Sequence, residues 1–112
     1  MSEREIGTSR LGKVLNELLR AKDINAGRIV VFGSFARGRQ RKDSDIDIVI
    51  VSKDFRNKSA FERAELTTGI GREMVRRFGK PFDLMYYSDL EWKRGHSLVI
   101  NAAKESGQVI YG

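Results

Sequence analysis

The stretch Asp45–Val51, D-I-D-I-V-I-V, constrains the fold more than any other part of this chain. Ile46, Ile48 and Ile50 alternate with Asp45, Asp47, Val49 and Val51, the period of two that belongs to a β-strand. From Ile48 onward the run is apolar on both faces, as expected of a central strand covered on both sides. Its acidic residues are confined to its mouth. A chain with such a strand must supply sheet neighbours on either side of it and helices to cover it, which points to an α/β (α+β) domain with a small mixed sheet.

The rest of the sequence offers those parts. Leu11, Val14, Leu15, Leu18 and Leu19 recur at helical spacing, so a first amphipathic helix is expected from about Thr8 or Ser9 to the Asp-, Asn- and Gly-rich segment 23–27. Arg28–Phe32 is a β-branched strand ending at Gly33, with a short helix expected beyond it. Ser59–Phe78 carries Phe61, Leu66, Ile70, Met74 and Phe78 at mostly four-residue spacing and reads as one long helix, weakened locally by Gly69 and Gly71 and closed by Gly79 and Pro81. Phe82–Tyr87 is a third strand, opened by Asp83. Ser88 or Asp89 caps a short helical turn through Arg94, Ser97–Glu105 is a final helix stopped by Gly107, and Gln108–Tyr111 adds an edge strand.

At 112 residues the chain has room for one core, and a single domain spanning 1–112 is expected. The absence of cysteine removes disulfide scaffolds, cysteine nucleophiles and cysteine-ligated zinc. The lone His96 removes multi-histidine metal sites. No apolar run approaches the roughly 18 residues of a membrane span, so the chain reads as cytoplasmic with no membrane partner. A net charge of +6 favours polyanionic ligands. The densest basic cluster, Arg37, Arg39, Arg41 and Lys42, lies in the irregular stretch 38–44 or beside it. It lacks the interleaved aromatics that stack nucleobases, which argues against direct nucleic-acid binding.

The chemistry concentrates around the two central strands. Asp45 and Asp47, at i and i+2 of one strand, project to the same side about 7 Å apart at Cα. Two carboxylates brought to about 4 Å repel by about 4 kcal/mol at an effective dielectric of 20. A divalent cation relieves that repulsion, and an all-oxygen donor set selects Mg²⁺ or Mn²⁺. Two such ions bridged by carboxylates are the usual apparatus for in-line displacement at phosphorus, and Asp83 is placed to complete the set. Gly33 and Ser34, at a strand-to-helix turn, offer backbone N–H groups and a hydroxyl to phosphate oxygens. Competing motifs fail: Arg39 and Gln40 stand where a P-loop needs Lys and Ser or Thr, and Ile48 occupies the glycine position of an EF-hand loop.

V-V-F-G-S-F-A-R-G followed by D-S-D-I-D-I-V-I-V resembles the signature of the nucleotidyltransferase superfamily, in which G-S precedes D-x-D by about ten residues. Ten residues separate Ser34 from Asp45 here, and F-D-L at 82–84 matches the family's third carboxylate. The small size and G-S-F-A-R-G resemble the minimal nucleotidyltransferases, antitoxins paired with HEPN-domain ribonuclease toxins. That resemblance implies a nucleotidyltransferase fold and transfer of AMP from ATP to a tyrosine of the toxin. It implies that Asp45 and Asp47 bind two Mg²⁺ ions and that Asp83 helps bind the catalytic ion and activates the acceptor hydroxyl. Gly33 and Ser34 would hold the β- and γ-phosphates. On charge, Arg37, Arg39 or Arg41 can neutralise the triphosphate or the departing pyrophosphate, Arg37 first because it lies in the matching motif. The other reading is a nucleotide-binding antitoxin that neutralises its partner by complex formation without turnover. In either case the acceptor or target is a separate protein, met by the first or last helix, and a homo- or hetero-oligomer fits both.

Overall fold

The structure is a computed structural model, and it describes residues 7–33, 36 and 45–112. Along the chain come α1 (Thr8–Arg20), β1 (Arg28–Phe32), β2 (Ile46–Val51), a 3-10 turn at Lys53–Phe55, α2 (Ala60–Leu66), α3 (Ile70–Phe78), β3 (Phe82–Tyr87), α4 (Asp89–Arg94), α5 (Leu98–Ser106) and β4 (Gln108–Tyr111). The strands form a mixed sheet in the order β3-β2-β1-β4. β1 runs antiparallel to both β2 and β4, and β2 runs parallel to β3. The parallel pair needs a crossover, which the turn, α2 and α3 supply.

Strand periodicity divides the core into two layers. On one face Ile29, Val31, Ile46, Ile48 and Ile50 meet Leu11, Leu15 and Leu19 of α1 and Ile70 and Met74 of α3, all essentially inaccessible to solvent. Each such side chain stabilises the fold by roughly 1.5–3 kcal/mol on burial. On the other face Val30, Val49 and Val51 pack with Ala103 of α5, and Trp92 leans against this smaller cluster. β2 is thus central and covered on both sides, as its apolar run requires. The apolar stripe of α1 is consumed by the core, so it is not a contact face for another protein; on α5, Leu98 is 90% exposed.

Three local features depart from the sequence expectation. The long helix is two helices, because Gly69 adopts φ +87 and starts α3 as a new segment. Just before it, the hydroxyls of Thr67 and Thr68 donate back to the carbonyls of Arg63 and Glu65, closing α2. α1 is preceded by Gly7 with no side-chain cap, so neither Thr8 nor Ser9 serves as its N-cap. Lys53–Phe55 forms a 3-10 turn that carries no periodic signal, and it buries Phe55 against Tyr86. The short helix expected after Gly33 falls outside the described residues. Gly79, at φ +68, ends α3 as expected.

Candidate functional site

Register assembles the site. Asp47 of β2 stands directly beside Asp83 of the parallel β3, and on its other side beside Phe32 of the antiparallel β1. All three side chains project to one face of the sheet, at the edge of the smaller apolar layer. The mouth of β2 is tied to β3 by a hydrogen bond from the Ile46 N–H to the Pro81 carbonyl, 2.9 Å. That bond fixes the height at which Asp45, Asp47 and Asp83 emerge. Asp45 and Asp83 are exposed, whereas Asp47 is half-buried.

Gly33, the residue after Phe32, turns the chain with φ +77 and passes close over Asp47. A Cβ at this position would lie 2.6 Å from Asp47 Oδ2. Glycine is therefore required here twice over, by the left-handed backbone and by the carboxylate beneath it. Ser34 and Arg37, the other residues expected to hold phosphates, lie outside the described residues, as do Arg39, Arg41 and Lys42.

The Asp47 carboxyl is held above its ordinary range, first by partial burial and then by the negative charges of Asp83 and Asp45. Neighbouring strands are about 4.8 Å apart. Two unit charges at that separation repel by about 1 kcal/mol in water and about 3 kcal/mol at an effective dielectric of 20. Among the described residues, no three acidic or histidine side chains are already gathered into a metal cluster. The donor chemistry nevertheless fits a hard cation: Mg²⁺ keeps several of its waters and takes one or two carboxylates, and among the described residues the charges that shift Asp47 are the carboxylates Asp83 and Asp45.

Sequence reasoning did not find the cleft beside this cluster. A cavity of about 790 Å³ runs along the outer edge of β3, walled by α2, and Asp83 is among its lining residues. Arg63 spans it near the far end of the strand. Its guanidinium donates to the carbonyls of Tyr86 at 3.0 Å, Phe55 at 2.9 Å and Lys58 at 3.0 Å, and pairs with Glu91 at 2.8 Å. Glu91 is fixed in turn as the N3 residue of a capping box with Ser88. Burial pushes its carboxyl up, but bonds from Ser88 and Arg63 outweigh that and hold it below its ordinary value. The S-x-x-E spacing of Ser88 and Glu91 was the available sequence signal.

The nucleotidyltransferase domain family model matches residues 11–110. Among solved structures, a toxin–antitoxin crystal structure with AMP-PNP is 25% identical, over 89% of this chain and 72% of that one, with a TM-score of 0.63. A mutant of the toxin–antitoxin MntA-HpeT is 22% identical, over 96% and 74%, with a TM-score of 0.65. A structure of the tri-AMPylated Shewanella oneidensis HEPN toxin with its MNT antitoxin is 22% identical, over 93% and 72%, with a TM-score of 0.55. No curated protein matches the chain. Among the described residues no helix is long and apolar enough to cross a membrane.

Proposed function

The chain belongs to the nucleotidyltransferase domain family, and from that premise we propose that it transfers AMP from ATP to a hydroxyl, a tyrosine by family resemblance, of a HEPN-domain toxin. It would act as the antitoxin, as a single cytoplasmic domain spanning 1–112. The observation that carries this reading is the register pairing of Asp47 with Asp83 under Gly33, which gathers the matching motifs on one sheet face. The solved relative with AMP-PNP supports a nucleoside triphosphate as the donor, and the AMPylated HEPN toxin of another supports the acceptor class.

Asp45, Asp47 and Asp83 would hold two Mg²⁺ ions, with Mn²⁺ as a substitute, which would neutralise the charge gathering on the attacking and departing oxygens. Asp83, exposed on the edge strand β3, takes the proton of the acceptor hydroxyl. The freed oxygen bonds to the α-phosphorus as the bond to pyrophosphate breaks. Gly33 presents its backbone to the phosphates at no steric cost, and Ser34 and Arg37 add a hydroxyl and a cation there. Asp47 keeps its place between Phe32 and Asp83 throughout.

The test is transfer of label from α-phosphate-labelled ATP to the purified HEPN protein, with Mg²⁺, comparing wild type with the Asp45→Asn, Asp47→Asn double variant. Labelling by wild type and a loss of at least about 100-fold in the variant are expected. An unlabelled partner, or a double variant that neutralises the toxin as well as wild type does, refutes the enzymatic reading in favour of a binding antitoxin.

A further inference from the structure

β3 is an edge strand, and its outer hydrogen-bonding groups can be identified from the ladder. The Ile46 N–H reaches the Pro81 carbonyl and the Ser52 N–H reaches the Tyr87 carbonyl. In a parallel pair this directs the odd-numbered groups of β3 toward β2. The N–H and C=O of Phe82, Leu84 and Tyr86 therefore face away from the sheet. Of these, the Tyr86 carbonyl is taken by Arg63. No backbone partner within the described residues occupies those of Phe82 and Leu84. Pro81 precedes the strand and Arg63 closes its end, so the open edge is short and lies beside Asp83. Natural sheets usually blunt such edges, because a row of free donors and acceptors templates another strand.

Here, among the described residues, no further strand pairs with the edge, which faces the cavity below α2, whose wall contributes the small residues Ala60 and Ala64. Both are exposed. We infer that an extended segment of the partner protein adds to this edge as a further strand, lying in the cleft between β3 and α2 and delivering its acceptor hydroxyl to Asp83. The occupant is a peptide backbone because the groups left open are backbone groups at strand spacing. Pairing also explains delivery: the added residue opposite Asp83 projects to the same sheet face as Asp83 and Asp47, extending the row Phe32, Asp47, Asp83 by one strand. This inference rests on the transferase reading for the identity of the occupant, although the docking surface itself is defined by the edge.

Amide exchange tests it on the ¹⁵N-labelled protein, alone and in complex with the purified HEPN protein. The Leu84 amide, open in the free chain, is expected to gain about 100-fold protection in the complex, whereas the Met85 amide, already bonded to β2, changes little. An independent check is Ala64→Trp, an exposed helix position from which a large side chain enters the cleft while the sequence of β3 is left unchanged. It is expected to lower kcat/KM for the HEPN protein by about tenfold or more while the Kd for ATP stays unchanged. A labelled partner with an unprotected Leu84 overturns the docking site and leaves the transferase standing. A protected Leu84 with a partner that is never labelled does the reverse. Concentration-dependent protection without any partner assigns the edge to a second copy of the chain and overturns the inference, as does failure of the HEPN protein to bind.

Discussion

Replacing Gly33 by alanine separates two costs that coincide at this residue. The first is conformational: a Cβ at φ +77 costs about 1–2 kcal/mol. With an unfolding entropy of roughly 2.1 cal/mol/K per residue over 112 residues, each kcal/mol lowers Tm by about 4 °C, so a drop of about 4–8 °C is expected. The second cost is steric: the new methyl would lie 2.6 Å from Asp47 Oδ2. Ordinary contact requires the carboxylate to retreat by about 0.5–1 Å. A side-chain end moves that far cheaply in folding energy, but a misplacement near 1 Å at a reacting centre costs on the order of 100-fold in rate. Gly69→Ala is the matched control, since Gly69 has φ +87 and nothing within 4 Å of its would-be Cβ. Both variants should lose similar Tm by scanning calorimetry, and only Gly33→Ala should lose nucleotidyl transfer to the partner. Transfer within about threefold of wild type in Gly33→Ala, or an equal loss in Gly69→Ala, would refute the claim that Gly33 exists to leave Asp47 its place.

Asp47 holds its proton to higher pH in the folded chain than in the unfolded one. Between the ordinary aspartate pKa and the raised value the native state therefore binds more protons, and stability falls as pH rises through that window. Asp47→Asn should accordingly raise the unfolding free energy at pH 7 in chelator by an amount on the order of 1 kcal/mol. The gain should disappear below about pH 4; a variant less stable than wild type at pH 7 contradicts the repulsion. Arg63→Ala removes three backbone bonds and the Glu91 pair from a side chain only 14% exposed. Urea unfolding should show a loss of about 2–4 kcal/mol, which Arg63→Lys restores only in part; a loss under about 0.5 kcal/mol would mean that Arg63 does not hold α2 to β3.

What was legible in the sequence was local. The stripe of α1, the alternation of β2 and the glycine stop at Gly79 are periodicities and backbone preferences that act within a few residues, and each is found in the structure. Asp45 and Asp47 share a face because i and i+2 always do in a strand. The break at Gly69 was visible only as a weakness, since local propensity cannot say whether packing will carry a helix through a glycine; here the chain turns at Gly69, so that α3 packs on both α1 and β3 while α2 reaches β3 through Arg63. Asp83 could be suspected from its odd position at the head of an apolar strand. That it stands beside Asp47 is a matter of strand order and register, which depend on how two layers of side chains pack across the whole sheet. The same packing left β3 at the margin with the backbone of Phe82 and Leu84 open, and no pattern within Phe82–Tyr87 distinguishes an edge strand from a paired one. Sequence alone determined which carboxylates the chain carries and which face of a strand each takes; the tertiary structure decided which of them meet, because Asp47 and Asp83 become neighbours only through the register in which β2 pairs with β3.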